Sequence, residues 1–340
     1  MFVGFATAAW SAYTALTGYL GGVMFQDNTL LAITVGIGLA LVVTGGIEGA
    51  GPAPAPGRRR AGPGGGLMPG ATAGVPPLGR VRALHVYPVK GLSAQPLERV
   101  VLRPGEGVPG DRRYALARAD GRYRPGLREG LPKQEFHALV SDHRLAGLDT
   151  HLDAADVLTV RVAMDTTRHE VLRADLRTEG GRRDARRFFA RVLDLPEGAG
   201  PEIAHEPGRR FTDAAAAGDG PMGWLSLVNL ASVRDLGART GTTVDPGRFR
   251  ANVLVDGLPP WSELDLVDSE TGQGLRLGGA RVRVVRRTRR CAATEVDPAT
   301  GVRDLPVVRL LDQAYGHQLM GVYLEVLAAG TVEQDDELAA

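Results

Sequence analysis

Between residues 49 and 79 the composition shifts to Gly, Pro and Ala, with almost no bulky apolar residue, and this break separates two very different kinds of sequence. A stretch with so little side chain to bury cannot repay the entropy of being ordered, so it reads as a flexible tether. Before it, residues 1–26 carry no side-chain charge and include Phe2, Val3, Phe5, Trp10, Leu16, Leu20 and Phe25. After Asp27 a second uncharged run, residues 29–47, holds Leu30, Leu31, Ile33, Val35, Ile37 and Leu39. Each run is long enough to cross a bilayer, and Gly18, Gly21, Gly22, Gly36 and Gly38 would let two helices approach closely in lipid. The first run lacks the basic start of a cleaved signal peptide. The expectation is a two-helix transmembrane hairpin over 1–48 and a linker over 49–79. Arg58, Arg59 and Arg60 follow the second span, whereas the connecting loop bears only Asp27, which puts both termini and the rest of the chain on the cytoplasmic side.

From Arg80 onward the pattern is mainly that of β-strands. Alternating or short apolar runs cover 81–86, 97–102, 114–118 and 157–162, with a turn at Asp120-Gly121. One helix interrupts them, since Ala185, Phe188, Phe189, Val192 and Leu193 recur at helical spacing and Pro196 follows. The second half reads as an apolar run at 224–228, a helix over 229–239, strands around Val253, Leu275 and Val282, a helix over 306–315 closed by Gly316, and a strand over 322–327. Many short strands with few helices predict a mainly β, barrel-like fold with helical decorations.

Forty basic and 39 acidic residues leave a net charge of +1, which removes the global field expected of a nucleic-acid-binding protein. Only Lys90 and Lys133 are lysines, so a Schiff-base cofactor such as pyridoxal phosphate would have two candidate attachment points. A single cysteine rules out an internal disulfide, a Cys-x-x-Cys pair and a four-cysteine iron–sulfur cluster within the chain. The seven histidines show none of the spacings that zinc sites use.

That one cysteine, Cys291, stands in the most informative stretch. By composition alone a lone cysteine is usually a small buried hydrophobe. Here Arg286, Arg287, Arg289 and Arg290 precede it, and nearby cations favour the thiolate that binds metals or attacks electrophiles. Leu275 and Leu277, then Gly278-Gly279, then Val282 and Val284 form a hairpin pattern, and Asp297-Pro298-Ala299-Thr300-Gly301 is a turn signature. The cysteine is thus expected to leave a strand and to sit on a loop at its mouth, where a rigid scaffold commonly presents function.

The run from Arg290 to Gly301, RCAATEVDPATG, resembles the cysteine loop of MOSC domains, which occur in molybdenum cofactor sulfurases and amidoxime-reducing enzymes. Val86-Tyr87-Pro88-Val89-Lys90-Gly91, Gly110-Asp111-Arg112-Arg113-Tyr114, Arg248-Phe249-Arg250-Ala251-Asn252-Val253 and Gly321-Val322-Tyr323 are similar, in order, to other segments of such proteins, covering about residues 80–334. The family often has Ser where this chain has Gly91. The resemblance implies a MOSC-type β-barrel over 201–335 preceded by a β-barrel-like N-terminal segment over 80–200. It implies the molybdenum cofactor (molybdopterin), with Cys291 as metal ligand and catalytic residue and with Lys90, Arg112, Arg250, Asn252, Arg290 and Tyr323 around the pterin and phosphate. In an extended strand Arg250 and Asn252 would share one face.

Two functions follow from the resemblance. One is a molybdenum-dependent oxidoreductase that reduces N-hydroxylated compounds with electrons from a ferredoxin- or flavin-type partner. The other is a cofactor or sulfur carrier with a persulfide on Cys291. The protein would sit at the cytoplasmic membrane, or be soluble in the cytoplasm if the N-terminal extension is not translated. No nucleic-acid partner is expected.

Overall fold

A computed structural model describes residues 77–340, apart from Asp165 and Glu197. The hairpin expected over 1–48 and nearly all of the linker lie outside the described residues. Among the described residues no helix is long and apolar enough to cross a membrane.

Seven strands close into a barrel. In order around it they are Val253–Asp256, Leu225–Asn229, Leu319–Ala328, Ala280–Arg289, Leu275–Leu277, Glu337–Ala339 and Gly79–Val86, the last of which pairs back onto Val253–Asp256. Strand alternation fills the interior, because every second side chain points inward. Val81, Leu84, Leu225, Leu227, Val253, Val255, Val282, Val284, Val322 and Leu324 meet there in one buried cluster. The hairpin read from the sequence is present, with Leu275 opposite Val282 and Leu277 opposite Ala280. Leu225–Asn229 and Val253–Asp256 run parallel, so they need a crossover, and the helix Leu230–Thr240 supplies it. That helix and Val307–Tyr315 cover the barrel's outer face over Val228, Phe249, Leu254 and Met320.

The boundary at residue 200 does not follow the barrel. Its first strand, Gly79–Val86, comes from the N-terminal segment and pairs with Val253–Asp256 on one side and with Glu337–Ala339 on the other. The reason is its burial alternation, which presents Val81, Leu84 and Val86 to the barrel core. The strand Glu337–Ala339 lies beyond residue 335 and fills the gap between Gly79–Val86 and Leu275–Leu277.

Val100, Leu102 and Val108 of the N-terminal segment join the barrel core, and much of the remainder builds a second one. Asp149–Leu152, Val157–Met164 and Thr167–Asp175 form an antiparallel sheet, and the helix Glu179–Val192 packs Ala185, Phe188 and Phe189 against Leu158, Val160 and Leu176. Thr178 caps that helix, its Oγ1 accepting from the Gly181 N–H at 3.0 Å. A further sheet joins Phe136–His137, Tyr114–Ala117 and Glu202–His205, and carries the turn at Lys90 through the bond from Lys90 N to Tyr114 O at 2.8 Å.

Gly321 sits where the strand Leu319–Ala328 bends against its neighbour. Its φ is +72°, and a Cβ there would lie 2.2 Å from the Leu227 carbonyl oxygen. Gly321→Ala should therefore cost at least about 2 kcal/mol, combining left-handed backbone strain with a clash that backbone cannot relieve. Urea unfolding of the 74–340 fragment, which is one compact unit, checks this as a fall in the transition midpoint.

Candidate functional site

A cavity of about 140 Å³ opens where the two halves of this unit meet, and all seven residues singled out from the sequence line it: Lys90, Arg112, Arg250, Asn252, Arg290, Cys291 and Tyr323. They arrive from five places in the chain. Lys90 follows the first barrel strand, Arg112 precedes Tyr114–Ala117, Arg250 and Asn252 precede Val253–Asp256, Arg290 and Cys291 leave Ala280–Arg289, and Tyr323 lies within Leu319–Ala328.

Cys291 is partly exposed and begins a single helical turn, Ala292–Glu295, with its carbonyl accepting from Thr294 N at 3.0 Å and Thr294 Oγ1 at 2.9 Å. Two of the four arginines before it have partners of their own, which corrects the expectation of four cations around the sulfur: Arg287 reaches Leu264 O and Asp268, and Arg289, at the cavity wall, binds Gln318 Oε1, while Arg286 stands opposite Tyr323. Arg290 alone is a buried neighbour. Its guanidinium donates to Met320 O from Nε (2.8 Å) and Nη2 (2.5 Å) and to Phe249 O from Nη1 (2.9 Å), so most of its donors fasten the loop to the barrel. Burial brings its pKa down to about 10, leaving it charged at neutral pH.

Arg248 is a second staple. It is 5% exposed and donates to Glu295 O, Asp297 and both carboxylate oxygens of Asp304, thereby binding the cysteine loop at its far end. The fork of a guanidinium suits this bidentate grip.

Arg250 and Asn252 do not share an extended strand. Arg250 has φ +51° and ends the helical turn Pro246–Phe249, and the strand begins only at Val253. Asn252 is committed to the framework. Its Oδ1 accepts from Ser226 N and Oγ at 3.1 Å each, and its Nδ2 donates to His85 O at 3.2 Å, so it ties the strands Gly79–Val86 and Leu225–Asn229 together. The left-handed turn leaves Arg250 free of such ties. Its guanidinium forms no ion pair or hydrogen bond among the described residues, Nη2 is buried without a partner, and the group lies over the Tyr87 ring face at 4.4 Å. Burial lowers its pKa to about 10, so it too remains a cation.

Arg112 lies 4.2 Å from the same ring and is neutralised by the buried carboxylate of Asp111, which also accepts from Tyr87 N at 2.9 Å. Tyr87 is therefore an aromatic platform for two guanidinium groups. Lys90 is buried, donates to Phe211 O at 2.9 Å and forms an ion pair with Asp213. Gly91 beside it has φ +85°, with Ala138 Cα 3.3 Å from where a Cβ would stand, which accounts for glycine in place of serine. Tyr323 faces Trp224 with ring centroids 6.0 Å apart, and burial raises its phenol pKa, so the hydroxyl keeps its proton. Thr288 Oγ1 is buried without a partner at the cavity wall.

Sequence reasoning did not assign Tyr87, Asp111, Asp213, Trp224, Arg248 or Thr288 a role. Tyr87, Asp111 and Arg248 lie inside the recognisable segments, so those segments held the signal. Asp213 and Trp224 come from irregular chain, where no periodicity marks them.

Residues 217–339 match the family described as MOSC domain, and residues 78–194 match the MOSC N-terminal beta barrel domain. The chain is a MOSC domain-containing protein, of a family that binds the molybdenum cofactor in related proteins and includes both enzymes and sulfur carriers. Among solved structures, the YUAD protein from Bacillus subtilis is 14% identical over 76% of this chain and 93% of its own, with a TM-score of 0.33. YiiM from Geobacillus stearothermophilus is 22% identical over 34% of this chain and 52% of its own, with a TM-score of 0.25. Likeness at that level carries no argument about this fold. No curated protein matches the chain.

Replacing Arg248 by Met removes the cation shared by the carboxylates of Asp297 and Asp304 while keeping much of the volume. Because Asp304 is half-exposed, the loss should be moderate, about 2 kcal/mol, and Cys291 should become more reactive to iodoacetamide. Hydrogen bonds from Arg248 hold the Asp304 carboxyl below its usual range. A depressed folded pKa gives stability that is present above the unfolded value of about 4 and is lost as pH falls. Acid unfolding curves should accordingly show a shallower decline below pH ~4 in Arg248→Met than in the wild type.

Proposed function

We propose that this chain binds the molybdenum cofactor through Cys291 and reduces N-hydroxylated compounds with electrons from a partner protein. The observation that carries the reading is Arg250, a partly buried cation on the wall of the cavity that Cys291 enters, whose Nη2 is buried without a hydrogen bond and which forms no ion pair among the described residues. A buried N–H donor without an acceptor is costly, and an anionic ligand would offset that cost.

The donor set suits the cofactor. The thiolate of Cys291 is a soft ligand of the kind a molybdenum centre takes, and Arg250, with Lys90 and Arg112 nearby, offers N–H donors to a phosphate. Thr288 Oγ1 adds a hydroxyl whose hydrogen-bonding capacity is unused. Bound there, the cofactor would supply two-electron chemistry at its metal. The chain's own part is to hold and orient. Arg248 and Arg290 fix the Cys291 loop, Asn252 holds the strands behind it, and Tyr323 presents a protonated phenol that can donate to a polar substrate atom. The balanced change is RNHOH + 2 e⁻ + 2 H⁺ → RNH₂ + H₂O. With its one cysteine given to the metal, the chain has no thiolates for an iron–sulfur cluster, so a ferredoxin- or flavin-type protein would deliver the electrons. The uncharged runs over 1–47 would anchor the full chain in the membrane, in which case alkaline carbonate extraction leaves it in the pellet.

Purified protein should contain about one molybdenum and one fluorescent pterin oxidation product per chain, and dithionite-reduced methyl viologen should drive reduction of benzamidoxime. Cys291→Ser should retain less than about a tenth of the metal and the activity, because oxygen is a harder and less acidic donor. Molybdenum-loaded protein that is inert with viologen, yet takes sulfur onto Cys291 from a cysteine desulfurase, would establish the carrier function instead.

A further inference from the structure

Two carboxylates line the cavity, and they differ in what they have left to give. Asp111 is 3% exposed, and both its oxygens are occupied by Arg112, with Oδ1 also taking the Tyr87 N–H. Asp213 has a side chain 51% exposed and engages Lys90 through Oδ1 alone. Its Oδ2 accepts no hydrogen bond among the described residues. The Lys90 ammonium, itself only 8% exposed, fixes the carboxylate at the edge of the cavity. Tyr323 and Arg250 line the same cavity as Asp213.

We infer that Asp213 determines substrate class in this cavity: its free oxygen accepts from the amino group of an N-hydroxylated amidine or guanidine and disfavours compounds that place a carbonyl oxygen there. The inference rests on the reductase reading and names the substrates that reading would serve. A carboxylate accepts and does not donate, so an NH₂ group opposite it forms a charge-assisted hydrogen bond, whereas a carbonyl oxygen meets repulsion. The Lys90 charge holds the Asp213 carboxyl below its usual range, which keeps it ionised at neutral pH. It is therefore a recognition group and not the proton donor of the reaction. Most other cations of the wall have internal partners or, like Arg250, face a site for the cofactor's anionic groups, which leaves Asp213 as the negative charge available to a substrate.

Benzamidoxime and benzohydroxamic acid test this, since they differ mainly in an amino group against a carbonyl oxygen. The reaction for the first is RC(NH₂)=NOH + 2 e⁻ + 2 H⁺ → RC(=NH)NH₂ + H₂O, with electrons from reduced methyl viologen. The molybdenum-loaded wild type should prefer benzamidoxime. Asp213→Asn should raise its KM about tenfold, the size expected for a hydrogen bond to a charged group, with kcat and the constants for benzohydroxamic acid little changed, and Asp213→Glu should recover part of the loss. A change of equal size on both substrates, which a merely structural role for the Lys90 pair would give, overturns the inference. Calorimetry with benzamidine and benzamide on the same loaded proteins reads recognition without turnover. Wild type should bind benzamidine at least about tenfold more tightly than benzamide, and Asp213→Asn should abolish that preference. A preference that survives the substitution overturns the assignment. A preference that depends on Asp213 in a protein inert towards benzamidoxime keeps the assignment and refutes the reductase reading alone.

Discussion

The pairing of Gly79–Val86 with Val253–Asp256 is the constraint on which the site depends. It closes the barrel, and because Lys90 and Gly91 follow that strand closely it also positions part of the N-terminal segment's contribution to the cavity wall. Asn252 reinforces the closure from inside, bonding His85 on one neighbouring strand and Ser226 on the other. Val81, Leu84 and Val86 make the closure stable, since shifting the register by one residue would turn that apolar set out of the core.

Electrostatics around the cavity divide into spent and unspent charge. Arg248 is spent on Asp297 and Asp304 and Arg290 on backbone carbonyls, bonds that hold the Cys291 loop, while Arg112 is spent on Asp111. Arg250 is unspent. Its guanidinium lies over the Tyr87 ring for a modest cation–π attraction and leaves Nη2 buried without an acceptor, a placement that suits a ligand's anion. Such a site is built by over-determining its supports and leaving one or two groups unsatisfied.

Much of this was legible in the order of the residues. The strands at 81–86, 114–118 and 157–162, the helix ending before Pro196, the hairpin around Gly278-Gly279 and the helix closed by Gly316 follow from alternation, helical spacing and turn chemistry, which are local properties. The seven site residues were named from short ordered segments, and those same segments converge on one cavity. What failed were inferences that treated adjacency in sequence as adjacency in space. Four arginines near a cysteine suggested a thiolate ringed by cations, but Arg287 and Arg289 are bonded to Asp268 and Gln318. Arg250 and Asn252, two apart, suggested a shared strand face, but a left-handed Arg250 ends a helical turn first.

By itself the sequence determined the class of fold, the single thiol available for chemistry, and the absence of any global charge that would direct the protein to nucleic acid, because composition and short-range periodicity decide those. Only the tertiary structure decided that the first strand belongs to the barrel, that Arg290 and Asn252 serve largely as fasteners, and that Arg250 and Asp213 keep unspent hydrogen-bonding capacity. Whether a polar group is satisfied depends on partners tens to hundreds of residues away, as with Lys90 and Asp213 or Asn252 and His85, and no local pattern records that.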